Sequence, residues 1–311
     1  MALFLGIDGG GSKTRCIVGD ENSQLGSGTS SGCNVLRVGE SCAQSSLSAA
    51  IHEACVQAGV SPREIVRTCA GVAGGVRREI ESTLRRLLSG VVGGDIEVGG
   101  DYEIAFEAAF GSGPGVIVIA GTGSIAYARN AGGKTARAGG WGHAISDEGS
   151  GHWIGVTAIS AALRASDRGE GSTLLKDLTG ELGATTAEEL IVRANANPPP
   201  DFALLFPVVL SASQAAGAGD SIANQVLDDA GRELAELAET VIRRLFAESD
   251  EVHVATHGGV FANSVQVKAS FGDHLRSQCP WASYDSKTID PALGALERAR
   301  RGFASGTTDS L

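Results

Sequence analysis

The sequence lacks the features of a membrane protein, a secreted protein and a nucleic-acid-binding protein. No uninterrupted apolar stretch approaches the roughly 18 residues of a membrane-spanning helix. The opening residues, MALFLGIDGG, have no basic region before their apolar run, so they predict a strand rather than a signal peptide. The formal net charge of −11 leaves no broad basic face for nucleic-acid phosphates or anionic lipid. We therefore expect a cytoplasmic protein that binds neither nucleic acid nor a membrane.

Paired cysteines are also missing. The chain has six cysteines, and no two of them form a C-x-x-C pair. Most lie in patterns typical of strands or helices, where a thiol behaves as a small apolar residue. We expect structural thiols rather than a metal or redox centre.

Two glycine-rich segments are present, each between an apolar strand pattern and a second strand pattern. They are LFLGIDGGGSKTRCIVGD (residues 3–20) and GVIVIAGTGSIAYARN (residues 115–130). Glycine lets backbone N–H groups approach an anion closely, so each segment predicts a phosphate-binding loop. Their spacing is about one domain length, which predicts two similar lobes that bind the phosphates of a nucleotide.

The first glycine segment nearly matches a P-loop, but an extra Ser12 separates Gly11 from Lys13. A P-loop lysine begins a helix, whereas the following TRCIVGD alternates like a strand. An ordinary hairpin turn is the alternative. We favour a strand–turn–strand phosphate loop in which Asp8 binds nucleotide-bound Mg²⁺, directly or through water.

The second glycine segment, GTGSIA at residues 121–126, fits the dinucleotide pattern G-x-G-x-x-A. That pattern needs a helix to begin there, but the residues that follow are typical of a strand and a turn. A second phosphate loop is the better interpretation. In it, the hydroxyl groups of Thr122 and Ser124 would add hydrogen-bond donors to those of the backbone.

The segment GGWGHAISDEGSGHWIG at residues 139–155 is the most unusual part of the chain. One interpretation is a metal site, although its spacings fit no standard zinc pattern. Another is a capping segment, with Ser150 as helix N-cap and Trp153 packed beneath it. A third is a sugar pocket, in which carboxylates bind hydroxyl groups and an aromatic ring packs on the sugar. The residues considered for the metal site are His143, Asp147, Glu148 and His152.

Asp101 follows a predicted strand and two glycines, and it precedes a predicted helix. It can be a simple helix N-cap. The same position lies at the carboxyl end of a strand, where α/β folds place their chemistry. A carboxylate there can accept the proton of a hydroxyl group that attacks a phosphoryl group.

Seven motifs together resemble the N-acetylglucosamine kinase group, within the BadF/BadG/BcrA/BcrD branch of the actin-like, hexokinase-like ATPase superfamily. The resemblance covers nearly the whole chain, and GGWG-x4-DEGSG is its most specific element. The motifs are GIDGGGSKT, GVAG (71–74), GGD (99–101), IAGTGS, GGWGHAISDEGSG, HGGVFAN (257–263) and DPALGAL.

This resemblance implies an α/β fold of two ribonuclease-H-like lobes with mixed sheets around a central cleft. The expected lobes are residues 1–114 plus 290–305, and residues 115–289. The resemblance also implies ATP and Mg²⁺ as cofactors, an amino sugar as substrate, and a homodimer. Asp101 would be the general base.

Site residues follow from the same resemblance. Those expected to bind ATP are Asp8, Gly10, Gly11, Ser12, Lys13, Thr14, Gly121, Thr122, Gly123, Ser124, Ala216, Gly258 and Gly259. Those expected to bind the amino sugar are Asn34, Asp101, Gly140, Trp141, Asp147 and Glu148.

The implied reaction is phosphorylation of N-acetylglucosamine, glucosamine or a related hexosamine at the 6-hydroxyl. The same branch includes activator ATPases that hold an iron–sulfur cluster through cysteines of the middle region, but here no cysteine occurs between Cys69 and Cys279. A nucleotide-driven switch without a sugar substrate is a further alternative. A sugar-responsive binding protein without catalysis is another, although Asp8 and Asp101 count against it. The sequence does not identify the amino sugar.

Overall fold

A computed structural model describes most of the chain as two compact units. The first unit comprises Met1–Gly113 and Thr288–Leu311, and the second comprises Pro114–Lys287. The described residues are 1–75, 77–170, 172–215, 219–285 and 289–308.

Each unit begins with three consecutive strands and continues with helices and further strands. The strands are β1 (Leu3–Gly9), β2 (Lys13–Gly19), β3 (Gln24–Ser31), β4 (Ile65–Val72), β5 (Asp95–Gly99), β6 (Gly115–Ala120), β7 (Ser124–Arg129), β8 (Thr135–Gly139), β9 (Val252–His257) and β10 (Ala282–Asp285). The α-helices are α1 (Val35–Val38), α2 (Glu40–Ala58), α3 (Arg78–Ser89), α4 (Asp101–Phe110), α5 (Gly151–Asp167), α6 (Leu174–Glu181), α7 (Ala187–Ala194), α8 (Phe206–Ser213), α9 (Ser221–Leu245), α10 (Gly259–Asn263), α11 (Val265–Gln278) and α12 (Pro291–Thr308). Short 3₁₀ helices lie at Pro62–Glu64 and Phe202–Leu205.

The first unit is built on a five-stranded mixed sheet with the order β3-β2-β1-β4-β5. Neighbours β3, β2 and β1 are antiparallel, whereas β1, β4 and β5 are parallel. Apolar side chains on both faces of the sheet are buried. Leu47 and Leu84, from α2 and α3, belong to the core on one face, and Ile104 and Leu296, from α4 and α12, belong to the core on the other.

The second unit repeats this plan with the order β8-β7-β6-β9-β10. Its first three strands form an antiparallel meander, and β9 and β10 add in parallel to β6. The strand order is therefore the same in both units, and the predicted α/β fold of two ribonuclease-H-like units with mixed sheets is confirmed. Across the part of the chain that the structure describes, no helix is both long and apolar enough to cross a membrane.

Close helix packing in the second unit depends on a glycine. Gly155 lies in the second turn of α5 and is buried against the 3₁₀ helix at Phe202–Leu205. A Cβ atom added to Gly155 would overlap the Phe202 carbonyl oxygen and lie 3.2 Å from the Leu205 Cβ. Because the nearest atoms belong to the backbone, the two segments could not accommodate even one methyl group without moving apart.

We expect Gly155→Ala to lower the free energy of unfolding by roughly 1–3 kcal/mol, the usual cost of overpacking. Gly180→Ala is the matched control, because Gly180 is an exposed helical glycine with no atom within 4 Å of an added Cβ. It should be neutral or stabilise slightly, since alanine is the better helix former. Urea unfolding of both variants measures the difference. Equal midpoints would contradict the packing described for α5.

Candidate functional site

The first glycine loop joins β1 to β2 in a strand–turn–strand arrangement. The Gly10 N–H donates to the Lys13 carbonyl at 2.9 Å, and the Gly10 carbonyl accepts from the Cys33 N–H at 3.2 Å. The C=O and N–H of a trans peptide point in opposite directions, so the Gly11 N–H points away from Cys33. Lys13 is the first residue of β2, so the predicted strand, rather than a P-loop helix, is confirmed.

The chain after β3 packs directly on this first loop. A Cβ on Gly32 would lie only 2.5 Å from the Gly11 carbonyl carbon, so the two backbones are in contact. This places Asn34 next to the loop, where it is the N-cap of α1 and its Oδ1 accepts from the Leu36 N–H at 3.1 Å. The cap uses only the Oδ1 atom of the amide.

Side chains of the first loop differ in their surroundings. Ser12 and Lys13 are exposed, whereas Thr14 is fully buried. The Thr14 hydroxyl donates to the Ser31 carbonyl at 2.7 Å, inside the sheet. Its side chain therefore holds β2 to β3, and any phosphate contact of this loop falls to its other members.

Asp101 lies at the same edge of the first sheet as this loop. Strands β1, β4 and β5 are parallel neighbours, so their carboxyl ends, which precede the loop and α4, lie along one edge. Gly100 is the N-cap of α4 and Asp101 is its first residue, so the N-cap interpretation of Asp101 is wrong and the helix begins one residue earlier than it predicts. The Asp101 Oδ1 accepts from the Tyr102 N–H at 3.0 Å. Burial raises the pKa of the Asp101 carboxyl.

Asp8, near the end of β1, is a second perturbed carboxyl group. Burial raises its pKa to about 7, and the charges of Asp101 and Asp290 add to the rise. Lys13 and Arg15 act in the opposite direction. Asp8 and Asp101 therefore lie close enough to interact electrostatically, as expected from their place in the sheet.

Sequence reasoning did not assign a role to Asp290 or Arg15. Arg15 Nη2 lies 3.1 Å from Asp290 Oδ2, which ties β2 to the start of α12 across 275 positions of sequence (290 − 15). Asp290 Oδ1 also accepts from the Ala292 N–H at 3.2 Å. The only sequence signal for Asp290 was that it begins the DPALGAL motif, one of the seven motifs on which the family resemblance rests.

The second glycine loop joins β6 to β7 and is held from one side by the start of α5. The Gly121 N–H donates to the Gly123 carbonyl at 2.9 Å, which closes the turn. The Gly121 carbonyl accepts from the Gly151 N–H at 2.8 Å, and the Thr122 carbonyl accepts from the His152 N–H at 3.3 Å. The loop therefore satisfies two of the N–H groups that the first turn of a helix leaves without a partner.

These hydrogen bonds leave a pair of N–H groups on the other side of the second loop. Each carbonyl that binds α5 shares its peptide plane with the next N–H, so the Thr122 and Gly123 N–H groups point away from α5. Neither N–H has an acceptor among the described residues. Two adjacent backbone donors of this kind can bind an anion.

Ser124 follows the second loop, but its hydroxyl is committed elsewhere. Ser124 is 3% exposed, and its Oγ donates to the Glu148 carbonyl at 2.7 Å. Its own carbonyl accepts from the Gly140 N–H at 2.9 Å. The Ser124 hydroxyl proton is therefore used in a bond to residues 139–155, which we call the GGWG segment.

Asp147 is buried against the same loop. Its side-chain Oδ2 would lie 2.7 Å from a Cβ placed on Gly123, and the residue is 6% exposed. Burial raises the pKa of the Asp147 carboxyl, and hydrogen bonding from the Gly142 and Ser124 N–H groups lowers it in part. Asp147 has φ +74° and is the only non-glycine residue with positive φ in the described ranges. The fold holds this carboxylate in place at the cost of backbone strain.

Three glycines of the GGWG segment allow the backbone conformation around Trp141. Gly139, Gly140 and Gly142 all have positive φ, which explains why glycine occupies these positions. Trp141 between them is 61% exposed, and the Arg137 guanidinium lies 4.4 Å from its ring centroid. An exposed indole of this kind offers an apolar face to a ligand.

The metal-site interpretation of this region is not supported by the structure. Among the described residues, no three His, Cys, Asp or Glu side chains are grouped as metal ligands. The rings of His143 and His152 are 4.8 Å apart, and burial lowers the pKa of His152. The capping interpretation is confirmed, because Ser150 is the N-cap of α5 and its Oγ accepts from the Trp153 N–H at 3.2 Å.

Gly258 and Gly259 follow β9, the parallel neighbour of β6. A Cβ on Gly258 would lie 3.1 Å from the Ala120 backbone nitrogen, immediately before the second loop. Gly258 has φ +105° and precedes α10, which begins at Gly259. The structure therefore brings these glycines to the same end of the sheet as the second loop. Ala216 lies outside the described residues.

Comparison with known proteins places the whole chain in a family context. The model of the BadF/BadG/BcrA/BcrD ATPase family matches residues 5–299. An N-acetylmuramic acid/N-acetylglucosamine kinase of Clostridium acetobutylicum is 35% identical, over 96% of this chain and 99% of that protein. An N-acetyl-D-glucosamine kinase of Dictyostelium discoideum is 30% identical, over 94% of this chain and 96% of that protein.

A crystal structure from Chromobacterium violaceum has the same fold. That protein is provisionally named an N-acetylglucosamine kinase. It aligns with a TM-score of 0.75 and 25% identity, covering 95% of this chain and 98% of its own.

The pKa of Asp8 predicts a distinctive pH dependence of stability. Because the folded-state pKa of about 7 exceeds the ordinary value of 3.8, the folded protein binds the Asp8 proton more tightly than the unfolded chain does. The burial cost of the carboxylate is therefore complete above pH 7 and is relieved as the pH falls from about 7 towards 4. We expect Asp8→Asn to be more stable than the wild type at pH 8 by about 1–2 kcal/mol, a value discounted for partial exposure.

The measurement is urea unfolding of the wild type and Asp8→Asn at pH 8, 7, 6 and 5. The advantage of the variant should shrink over that range. Asp20→Asn is the control, because hydrogen bonds from the Asn22 and Ser23 N–H groups lower the pKa of Asp20. An Asp8→Asn advantage that stays constant or grows towards pH 5 would contradict the raised pKa.

Proposed function

Because the chain belongs to the BadF/BadG/BcrA/BcrD ATPase family, we propose that it is an ATP-dependent amino-sugar kinase. The reaction transfers the γ-phosphoryl group of ATP to the 6-hydroxyl of N-acetylglucosamine, glucosamine or a related hexosamine. Two relatives at 35% and 30% identity, aligned over nearly the whole chain, carry names of kinases for such sugars. The proposal agrees with the chemistry available in each unit.

The observation that carries the proposal is the position of Asp101. A part-buried carboxylate with a raised pKa lies at the carboxyl edge of the first sheet, beside the first glycine loop. Burial strengthens a carboxylate as a base by bringing its pKa nearer to the working pH. Asp101 would accept the proton of the sugar hydroxyl as that oxygen attacks phosphorus.

The two glycine loops provide phosphate-binding groups of different kinds. Gly11 and Ser12 in the first loop, and Thr122 and Gly123 in the second, have backbone N–H groups without acceptors among the described residues. The residue before the first turn's glycines is Asp8, but the corresponding position before the second loop is Ala120. The first loop therefore has a carboxylate in its own sequence, whereas the second loop has Asp147 packed against Gly123. Fixed donors of this kind stabilise charge on a transferring phosphoryl group without reorganising.

The residues around Asp8 suit a Mg²⁺ ion that arrives with the nucleotide. Such an ion needs only one or two protein carboxylates, and the remaining ligands are phosphate oxygens and water. The repulsion that raises the pKa of Asp8, from Asp101 and Asp290, is the interaction that a nearby cation would offset. When bound, the ion would neutralise charge on the phosphates. Asp8 would hold it directly or through water.

The sugar half of the proposal rests on the GGWG segment and Asn34. Gly140 and Gly142 expose backbone on either side of Trp141, whose indole is mostly exposed. Aromatic rings of this kind pack against the C–H face of a pyranose, and Asn34 retains its amide nitrogen for a hydroxyl group. No observation favours an activator ATPase, since no cysteine lies between Cys69 and Cys279.

The proposal also includes the cellular compartment and the oligomeric state. We place the reaction in the cytoplasm, where ATP is available, and we expect a homodimer as in the group that the sequence resembles. Light scattering after size-exclusion chromatography measures the assembly directly. A monomer at micromolar concentration would contradict the dimer and leave the activity unaffected.

The activity is tested by coupled ATPase assays over a panel of hexoses and hexosamines. We expect Asp101→Asn to keep sugar binding and to lose at least ~10²-fold in kcat, the usual scale for a general base. Asp95→Asn is the control, because Asp95 is an exposed carboxylate at the opposite end of β5. Near-normal turnover in Asp101→Asn would remove Asp101 from the mechanism. Failure with every hexosamine but activity on a plain hexose would overturn the amino-sugar assignment.

Trp141→Ala should raise the KM for the sugar about 3- to 10-fold, which corresponds to the loss of about 0.5–1.5 kcal/mol of ring packing. Trp141→Phe should keep most of the affinity because it keeps an aromatic face. The KM for ATP serves as the internal control and should change little. Equal loss in both variants would contradict ring packing as the role of Trp141.

A further inference from the structure

The second glycine loop and the GGWG segment are joined through Ser124. Ser124 begins β7, and its polar groups are bound by residues 140–148. Its carbonyl accepts from the Gly140 N–H at 2.9 Å, and its hydroxyl donates to the Glu148 carbonyl at 2.7 Å. Because Ser124 is only 3% exposed, water could not replace these hydrogen bonds if they were broken.

Asp147 adds a second contact between the same two segments. Its carboxylate is packed on Gly123 so closely that a Cβ there would lie 2.7 Å from Oδ2. The nearby N–H groups of Gly142 and Ser124, one from each segment, partly offset the rise that burial causes in the pKa of this carboxyl. Asp147 is 6% exposed, so the residue is packed mainly against the protein.

The positive φ of Asp147 indicates that this arrangement is specifically maintained. Aspartate at φ +74° costs energy that glycine would not, and the sequence has glycine at several neighbouring positive-φ positions. The carboxylate at this position is therefore retained at a conformational cost that its contacts must offset.

We infer that Ser124 and Asp147 are positioning residues that couple nucleotide binding at the second loop to acceptor binding at the GGWG segment. The inference rests on the proposed function, because it takes the second loop as a phosphate site and Trp141 as part of the acceptor site. The unpartnered N–H groups of Thr122 and Gly123 lie between residues whose carbonyls are bound by α5 and by Gly140. A shift of residues 140–148 on binding a ligand would reach those N–H groups through Ser124 and Asp147.

This coupling has a thermodynamic signature that a simple sugar contact lacks. If the acceptor tightens nucleotide binding by a factor, the nucleotide tightens acceptor binding by the same factor. A residue that only touches the sugar changes the sugar affinity and leaves the nucleotide affinity measured without sugar unchanged. A residue that holds the second loop in place changes both the sugar affinity and the nucleotide affinity measured without sugar. It also changes the factor by which one ligand tightens binding of the other.

The test is calorimetric binding of Mg²⁺ with a non-hydrolysable ATP analogue to the full chain, with and without saturating N-acetylglucosamine. In the wild type we expect the sugar to tighten analogue binding by a factor of about 5 or more. In Ser124→Ala and Asp147→Gly we expect that factor to fall towards 1. Analogue affinity without sugar should also fall, by about 3- to 10-fold, which corresponds to about 0.7–1.4 kcal/mol.

Each variant separates one cause from another. Asp147→Gly removes the carboxylate without straining the backbone, because glycine adopts the required φ, whereas Asp147→Asn keeps an acceptor oxygen and should lose less. Ser270→Ala is the matched control, because the Ser270 hydroxyl also donates to a backbone carbonyl, that of Asp228 at 2.6 Å. It should retain the wild-type factor. Circular dichroism verifies that each variant is folded, and Asp147→Asn provides the comparison if Asp147→Gly does not fold.

Two results would overturn the inference. One is that N-acetylglucosamine does not change the affinity of the wild type for the ATP analogue. The other is an unchanged factor and an unchanged sugar-free nucleotide affinity in Ser124→Ala and Asp147→Gly, with a loss of sugar affinity alone. Failure of the wild type to bind either the ATP analogue or any hexosamine would instead reject the proposed function, so the two failures are distinguishable.

Discussion

The opposite orientation of C=O and N–H within each peptide plane is the constraint on which both glycine loops depend. In the first loop, the Gly10 carbonyl is bound by Cys33, and in the second, the carbonyls of Gly121 and Thr122 are bound by the start of α5. Binding the carbonyls from within the protein directs the following N–H groups outwards. Both loops therefore have backbone N–H donors for a phosphate, which agrees with the acidic composition of the chain.

The sheets determine where carboxylates can act. Parallel strands β1, β4 and β5 bring Asp8 and Asp101 to one edge from positions 93 residues apart (101 − 8). There, burial raises the pKa of both carboxyls, and the charge of Asp101 contributes to the raised pKa of Asp8. The second sheet has the same order of strands, but Ala120 stands before its loop. The two loops therefore differ in the source of their carboxylate: Asp8 precedes the first loop in sequence, whereas Asp147 packs on Gly123 of the second from a later segment.

Local pattern was sufficient to predict the strands and the turns, because alternation and glycine act over a few residues. It correctly made Lys13 a strand residue and Ser150 a helix cap. It could not predict that the Ser124 hydroxyl binds the Glu148 carbonyl, or that Arg15 pairs with Asp290. Both contacts depend on tertiary neighbours, and a hydroxyl in a glycine loop looks the same in sequence whether it faces phosphate or protein. The pKa of Asp8 was inaccessible for the same reason, since it depends on burial and on two distant charges.

The exposed indole beside Arg137 also gives the protein an intrinsic optical probe. The chain has three tryptophans, and Trp141 is mostly exposed whereas Trp153 and Trp281 are partly buried. Emission from Trp141 should therefore lie further to the red and be more readily quenched by iodide than emission from the other two. A ligand that covers its ring would shift and protect that emission. Ligand binding to the GGWG segment could then be followed by tryptophan fluorescence without an added label, in the same sample as the kinase assay.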